Sequence, residues 1–146
     1  MTNGTKVLKR DGQTESLNLE KVHKMTEEAC EGLAGVSASQ VEIQSGIQFY
    51  DGITTAEIQE ILVRSASDLI DLDAPNYQYV AARLLLFGLY KQVFGDWKQG
   101  FPSVREHLSK GSDKGIYDPK LESKYSEEEW SKINSWIDHN RDWTFT

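Results

Sequence analysis

Val7-Leu8-Lys9-Arg10-Asp11-Gly12-Gln13-Thr14-Glu15-Ser16-Leu17-Asn18-Leu19-Glu20-Lys21-Val22 decides how the rest of the chain is read. Two short extended runs meet at Asp11-Gly12, a dipeptide that tolerates positive φ at both central positions of a tight hairpin, and the second run passes straight into a helix. Asn18 suits the helix cap: its side-chain oxygen accepts from the orphan amides of the first turn, and those amides also form an anion-binding surface. Lys9, Arg10 and Lys21 therefore gather at a strand-to-helix junction, which reads as a phosphate-facing site. An ideal two-residue loop pairs Arg10 with Gln13. It puts Arg10 and Glu15 on one face of the ribbon and Lys9, Ser16 and Asn18 on the other, the face expected to meet the anion.

Outward from this ribbon, Leu19, Val22, Met25 or Thr26, Ala29 and Leu33 recur at helical spacing, so the first helix is expected over 19–34 with Gly35 as its positive-φ cap. Ser37 with Gln40 has capping-box form and predicts a short helix through Val41, Ile43 and Ile47, although their odd-numbered spacing also suits a half-buried strand. Tyr50-Asp51-Gly52-Ile53 predicts a turn and a third strand. Thr54 with Glu57 opens a third helix whose stripe is Ile58, Ile61, Leu62, Ala66, Leu69 and Ile70. A fourth helix is expected after Pro75, over about 76–94, and its nearly all-apolar centre makes it the most buried. Arg83 within it is expected to pair with a carboxylate. Residues 95–115 read as a linker containing one short helix. Ser126 with Glu129 caps a last helix carrying Trp130, Ile133, Trp136 and Ile137, whose apolar face either folds back or docks on sequence outside this chain. The three consecutive acids Glu127, Glu128 and Glu129 match the dipole at its start.

Composition excludes several functions. The chain has 146 residues and a formal charge of −7, a balance that argues against a general nucleic-acid binder. Cys30 is the single cysteine; it rules out an internal disulfide and suits a cytoplasmic, reducing location. As a site it reads as a small buried hydrophobe. No apolar run is long enough to span a membrane. Gly111-Ser112-Asp113-Lys114-Gly115 lacks the strand and helix that a P-loop needs. His23, His107 and His139 are scattered and read as surface groups, and no metal-ligand spacing is present.

The runs KRDGQTESLNLEKVHK, FYDGITTAEIQE and APNYQYVAARLLLFGLYK together resemble the ATP-cone domain of ribonucleotide reductases, and YSEEEWSKINSWIDHNRDWTFT resembles the segment after the cone in the class I large subunit. The resemblance implies an α+β fold, mainly helical: a four-helix bundle capped by a small three-stranded sheet over residues 1–95, then a helical extension over 96–146. It implies an overall-activity site for ATP or dATP as allosteric effector, with Mg²⁺ accompanying the nucleotide. Lys9, Thr55 and Lys91 are the implied phosphate contacts, with Arg10 a further one. Glu15, Ser16, Leu17, Asn18, Leu19, Glu20 and Lys21 are the implied wall around base, sugar and α-phosphate. A fourth helix antiparallel to the third would bring Lys91 beside Thr55, so that Lys9, Lys21, Thr55 and Lys91 converge on one triphosphate. Gln59 stands where the family leads one to expect a histidine or acid, one turn beyond Thr55, so binding would survive while dATP inhibition is weakened or lost. Implied partners are the remainder of the large subunit, the small radical-generating subunit and further copies of the chain. Reduction of a ribonucleotide requires several thiols, and this chain carries one, so it is expected to be inactive alone, as an excised domain or one piece of a split subunit. The competing reading is a cone that has lost its ligand and survives as a structural docking element.

Overall fold

The computed structural model describes residues 4–143, so the last three residues of the resembling tail lie outside the described part. The chain divides into two compact units, Met1–Tyr90 and Lys91–Thr146.

In the first unit, strands β1 (Lys6–Leu8) and β2 (Thr14–Ser16) form the hairpin and run into helix α1 (Leu19–Cys30). Helix α2 (Ala38–Gly46), strand β3 (Ile53–Thr54), helix α3 (Thr55–Asp68) and helix α4 (Tyr77–Phe94) follow. The sheet order is β2-β1-β3, with β1 antiparallel to β2 and parallel to β3. Four helices with a small mixed sheet make this the α+β fold anticipated from the sequence. Its core is built from one stripe of each helix: Val22 and Ala29 of α1, Val41 of α2, Ile58 and Leu62 of α3, and Val80 and Leu84 of α4 are buried. Leu62 and Leu84 are fully buried, and each such side chain contributes about 1.5–3 kcal/mol of transfer free energy.

Two details differ from the sequence reading. Helix α1 stops at Cys30, where Glu31 turns to an extended ψ of 128° and Gly32 takes a φ of +72°. The buried Arg83 explains the early stop, since its Nη1 donates to the carbonyls of Ala29 (3.2 Å) and Glu31 (2.7 Å). These bonds satisfy orphan acceptors of the helix end. Helix α2 forms, yet its Ser37–Gln40 capping box does not. The hydroxyl of buried Tyr77 takes the place of the box, accepting from Ser37 N–H (3.0 Å) and donating to Gln40 Oε1 (2.7 Å). By contrast, the Thr54–Glu57 box of α3 is complete.

In the second unit, α5 (Val104–Asp113), α6 (Lys120–Ser123) and α7 (Glu127–Ser135) follow one another. Within 95–115, read as a linker containing one short helix, α5 is that helix. Ser103 and Glu106 form a capping box, and α5 passes through Gly111 because the Tyr117 ring lies where a Cβ would stand, 2.2 Å away. Trp130 is buried and donates through Nε1 to the Glu122 carbonyl (3.1 Å), whereas Trp136 and Ile137 on the same predicted face are exposed. His107 and His139 are half-buried within an aromatic cluster around Phe94 and Phe101, the His139 ring stacking on Phe101 at 3.5 Å. Both were expected on the surface. Among the described residues no helix is long and apolar enough to cross a membrane.

Candidate phosphate-binding site

The hairpin loop is one residue longer than the ideal form. Lys9 N–H donates to the Gln13 carbonyl (2.8 Å) and Gly12 N–H to the Lys9 carbonyl (3.0 Å), enclosing Arg10, Asp11 and Gly12. Gly12 takes a φ of +83°, and no described residue other than glycine has positive φ. The left-handed position therefore falls to the one residue that adopts it without a Cβ penalty. A one-residue change of register exchanges the faces of a strand. Val7 pairs with Glu15 and Lys6 with Ser16, so Lys9 and Glu15 share the face of buried Val7. The expected pairing of Arg10 with Gln13 is corrected: Ser16 lies on the opposite face from Lys9, and Arg10 stands exposed in the loop.

The new register assembles a charged cluster. Glu15 Oε2 lies 3.6 Å from Lys9 Nζ, and its Oε1 lies 3.8 Å from Lys21 Nζ on the first turn of α1. Two ammonium groups from different elements thus share one carboxylate. The parallel ladder sets the start of α3 against the same strand. Leu8 pairs with Thr54, so Lys9 and Thr55 each follow directly on a paired strand residue. Thr55 is the first residue of α3, where unsatisfied amides and the positive end of the dipole favour anions.

The other residues of the ribbon and of α1 serve more local ends. Asn18 Oδ1 accepts from Lys21 N–H (3.1 Å), forming the predicted cap. Leu17 N–H donates to the Thr5 carbonyl (2.8 Å) and prolongs the ribbon. Leu19 and Glu20 are exposed at the start of α1. Gln59 is engaged by α4: its Nε2 donates to the Leu84 carbonyl, and its Cγ would lie 3.0 Å from a Cβ at Gly88. The glycine leaves room for that amide. Lys91 is exposed in the last turn of α4 and is the first residue of the second unit, so its part in the site rests on sequence resemblance.

The Tyr50 bond to the Thr54–Glu57 box and a histidine cluster on α1 escaped the sequence reading. At the start of α3 the Glu57 carboxylate accepts from Thr54 N–H (2.8 Å), Thr54 Oγ1 (2.7 Å) and the Tyr50 hydroxyl (2.8 Å). The Thr54 bonds, then that of Tyr50, hold its pKa below the ordinary 4.5. On α1, the His23 imidazole lies between two acids, with Nδ1 2.8 Å from Glu42 of α2 and Nε2 3.2 Å from Glu27. Glu42, with Glu27 behind it, raises the His23 pKa above 6.5. The spacing of His23 and Glu27, four residues apart, was the available signal; Glu42 required the packing of α2. Burial pushes the Cys30 thiol up against a weaker opposing pull from Arg83.

The match to known proteins covers this same region. The ATP cone domain family matches residues 5–92. The chain belongs to the ATP cone family. The cone and the residues after it are 49% identical, over 140 residues, to ribonucleoside-diphosphate reductase 1 subunit alpha of Escherichia coli (strain K12), covering 96% of this chain and 18% of that protein. Over 146 residues they are 44% identical to ribonucleoside-diphosphate reductase subunit alpha of Haemophilus influenzae (strain ATCC 51907 / DSM 11121 / KW20 / Rd), covering 100% of this chain and 19% of that protein. The Helicobacter pylori (strain J99 / ATCC 700824) subunit alpha is 39% identical over 139 residues, 95% of this chain and 17% of that protein. This cone-bearing chain therefore spans less than a fifth of the length of the curated relatives it matches.

Proposed function

We propose that this chain is the adenine-nucleotide-sensing module of a ribonucleoside-diphosphate reductase alpha subunit. ATP or dATP, carrying Mg²⁺ on its own phosphate oxygens, would act on it as an allosteric effector of ribonucleotide reduction performed by the rest of that subunit with its small radical-generating partner. The family match over residues 5–92 carries this reading. The geometry supports it, because Lys9 and Lys21 gather on one carboxylate and the strand that leads into the α3 start at Thr55 pairs with β1. The phosphates would lie across Lys9, Lys21 and Thr55, with the adenosine end toward Ser16 to Glu20.

Isothermal titration of the chain with MgATP and MgdATP tests this. Saturable heat with either nucleotide, shifted to higher concentration in Lys9→Ala plus Lys21→Ala, is the expected result. No heat from either at millimolar concentration would leave a cone that serves only as a docking element.

A further inference from the structure

Glu15 is the one anionic member of the Lys9–Lys21 cluster. A carboxylate between two lysines is ordinary on a surface, but here every partner belongs to a different part of the fold. The hairpin loop supplies Lys9, strand β2 supplies Glu15 and the first turn of α1 supplies Lys21. The Val7–Glu15 register fixes where the carboxylate sits, and Glu15 divides its two oxygens between the two ammonium groups at 3.6 and 3.8 Å. One anionic group with two oxygens spanning two lysines has the form of one edge of a phosphate.

We propose that Glu15 is an internal place-holder for phosphate: in the nucleotide-free chain its carboxylate occupies Lys9 and Lys21, and a bound triphosphate displaces it from them. This inference rests on the nucleotide-binding reading above. Displacement is easy for two reasons. The side chains of Lys9 and Glu15 are 40% and 41% exposed and that of Lys21 is 71% exposed, and ion pairs this open to water are weak. A triphosphate, moreover, offers several charges against one, with stronger charge-assisted hydrogen bonds. The carboxylate therefore sets the affinity without closing the site. It also keeps the two ammonium groups gathered while no nucleotide is present, and its charge opposes the triphosphate as it arrives.

The test is isothermal titration of the full chain, as wild type, Glu15→Gln and Glu15→Asp, with MgATP and separately with inorganic tripolyphosphate, at low and high salt. Removing the charge while keeping the shape is expected to tighten both ligands by about 3–10-fold at low salt, and screening at high salt shrinks that gain. Glu15→Asp, which keeps the charge, stays close to wild type. Equal or weaker tripolyphosphate binding by Glu15→Gln overturns the place-holder. So does loss of MgATP affinity with tripolyphosphate unchanged, which would make Glu15 a contact to the nucleoside. If wild type binds neither ligand, the nucleotide-binding reading itself fails and this inference goes with it.

Discussion

Helix α1 carries two charged clusters two residues apart, and they are built to opposite plans. At its first turn two lysines share the single carboxylate of Glu15. Two residues further on, a single imidazole, His23, is shared by the two carboxylates of Glu27 and Glu42. The first cluster has positive charge to spare, so an external anion can replace its internal one. The second has none, and Glu42 also accepts from the buried Thr26 hydroxyl (2.6 Å), which makes it a closed strut between α1 and α2. Net charge excess, more than the number of charged groups, separates a binding surface from a brace.

The largest effect comes from the frame that both clusters stand on. Leu62→Ala opens a cavity in the fully buried stripe of α3, and a loss of about 2–5 kcal/mol in chemical denaturation is expected. A loss below about 1 kcal/mol would mean that α3 does not hold the two clusters in one cooperative unit. Next comes the binding contrast itself. Lys9→Ala plus Lys21→Ala should weaken MgATP by about 10–100-fold, while His23→Gln leaves the titration unchanged; equal effects would erase the distinction between surface and brace. Gly12→Ala is expected to cost about 1–2 kcal/mol in thermal unfolding, because its φ of +83° penalises a Cβ although space around it is open.

The smallest effect is on pH. The folded-state pKa of His23 is raised above 6.5, so the stability it contributes is complete below the unfolded value near 6.5 and is lost as pH rises through the folded value. Melting temperature measured across that window should fall more steeply for wild type than for His23→Gln. Parallel curves would show that the imidazole does not brace α1 against α2.

Local chemistry made much of this legible in the sequence. The Thr54–Glu57 and Ser126–Glu129 boxes and the Asn18 cap are contacts between near neighbours, and all three formed as read. What was illegible depended on partners distant in sequence. Tyr77 replaces the Ser37–Gln40 box from 37 residues away, and Arg83 ends α1 from 52 residues away. Gly111 reads as a linker residue until the Tyr117 ring that covers it is in place. The hairpin lies between these cases. Asp11-Gly12 announced a turn, but whether the loop holds two residues or three decides which face Lys9 occupies, and the lysine's companions follow from that single register step. Ser16 was grouped with Lys9 on the wrong premise, and Glu15 was separated from it on the same one.

Heteronuclear NMR of the full chain during MgATP titration tests the central claim most directly, with the lysine side chains and backbone amides followed together. The account predicts saturable shifts concentrated on the Lys9 and Lys21 side chains and on the amides of Thr55 and Ala56, with His23 and its two acids unmoved. Shifts centred on the His23 cluster, or none at saturating nucleotide, would contradict it.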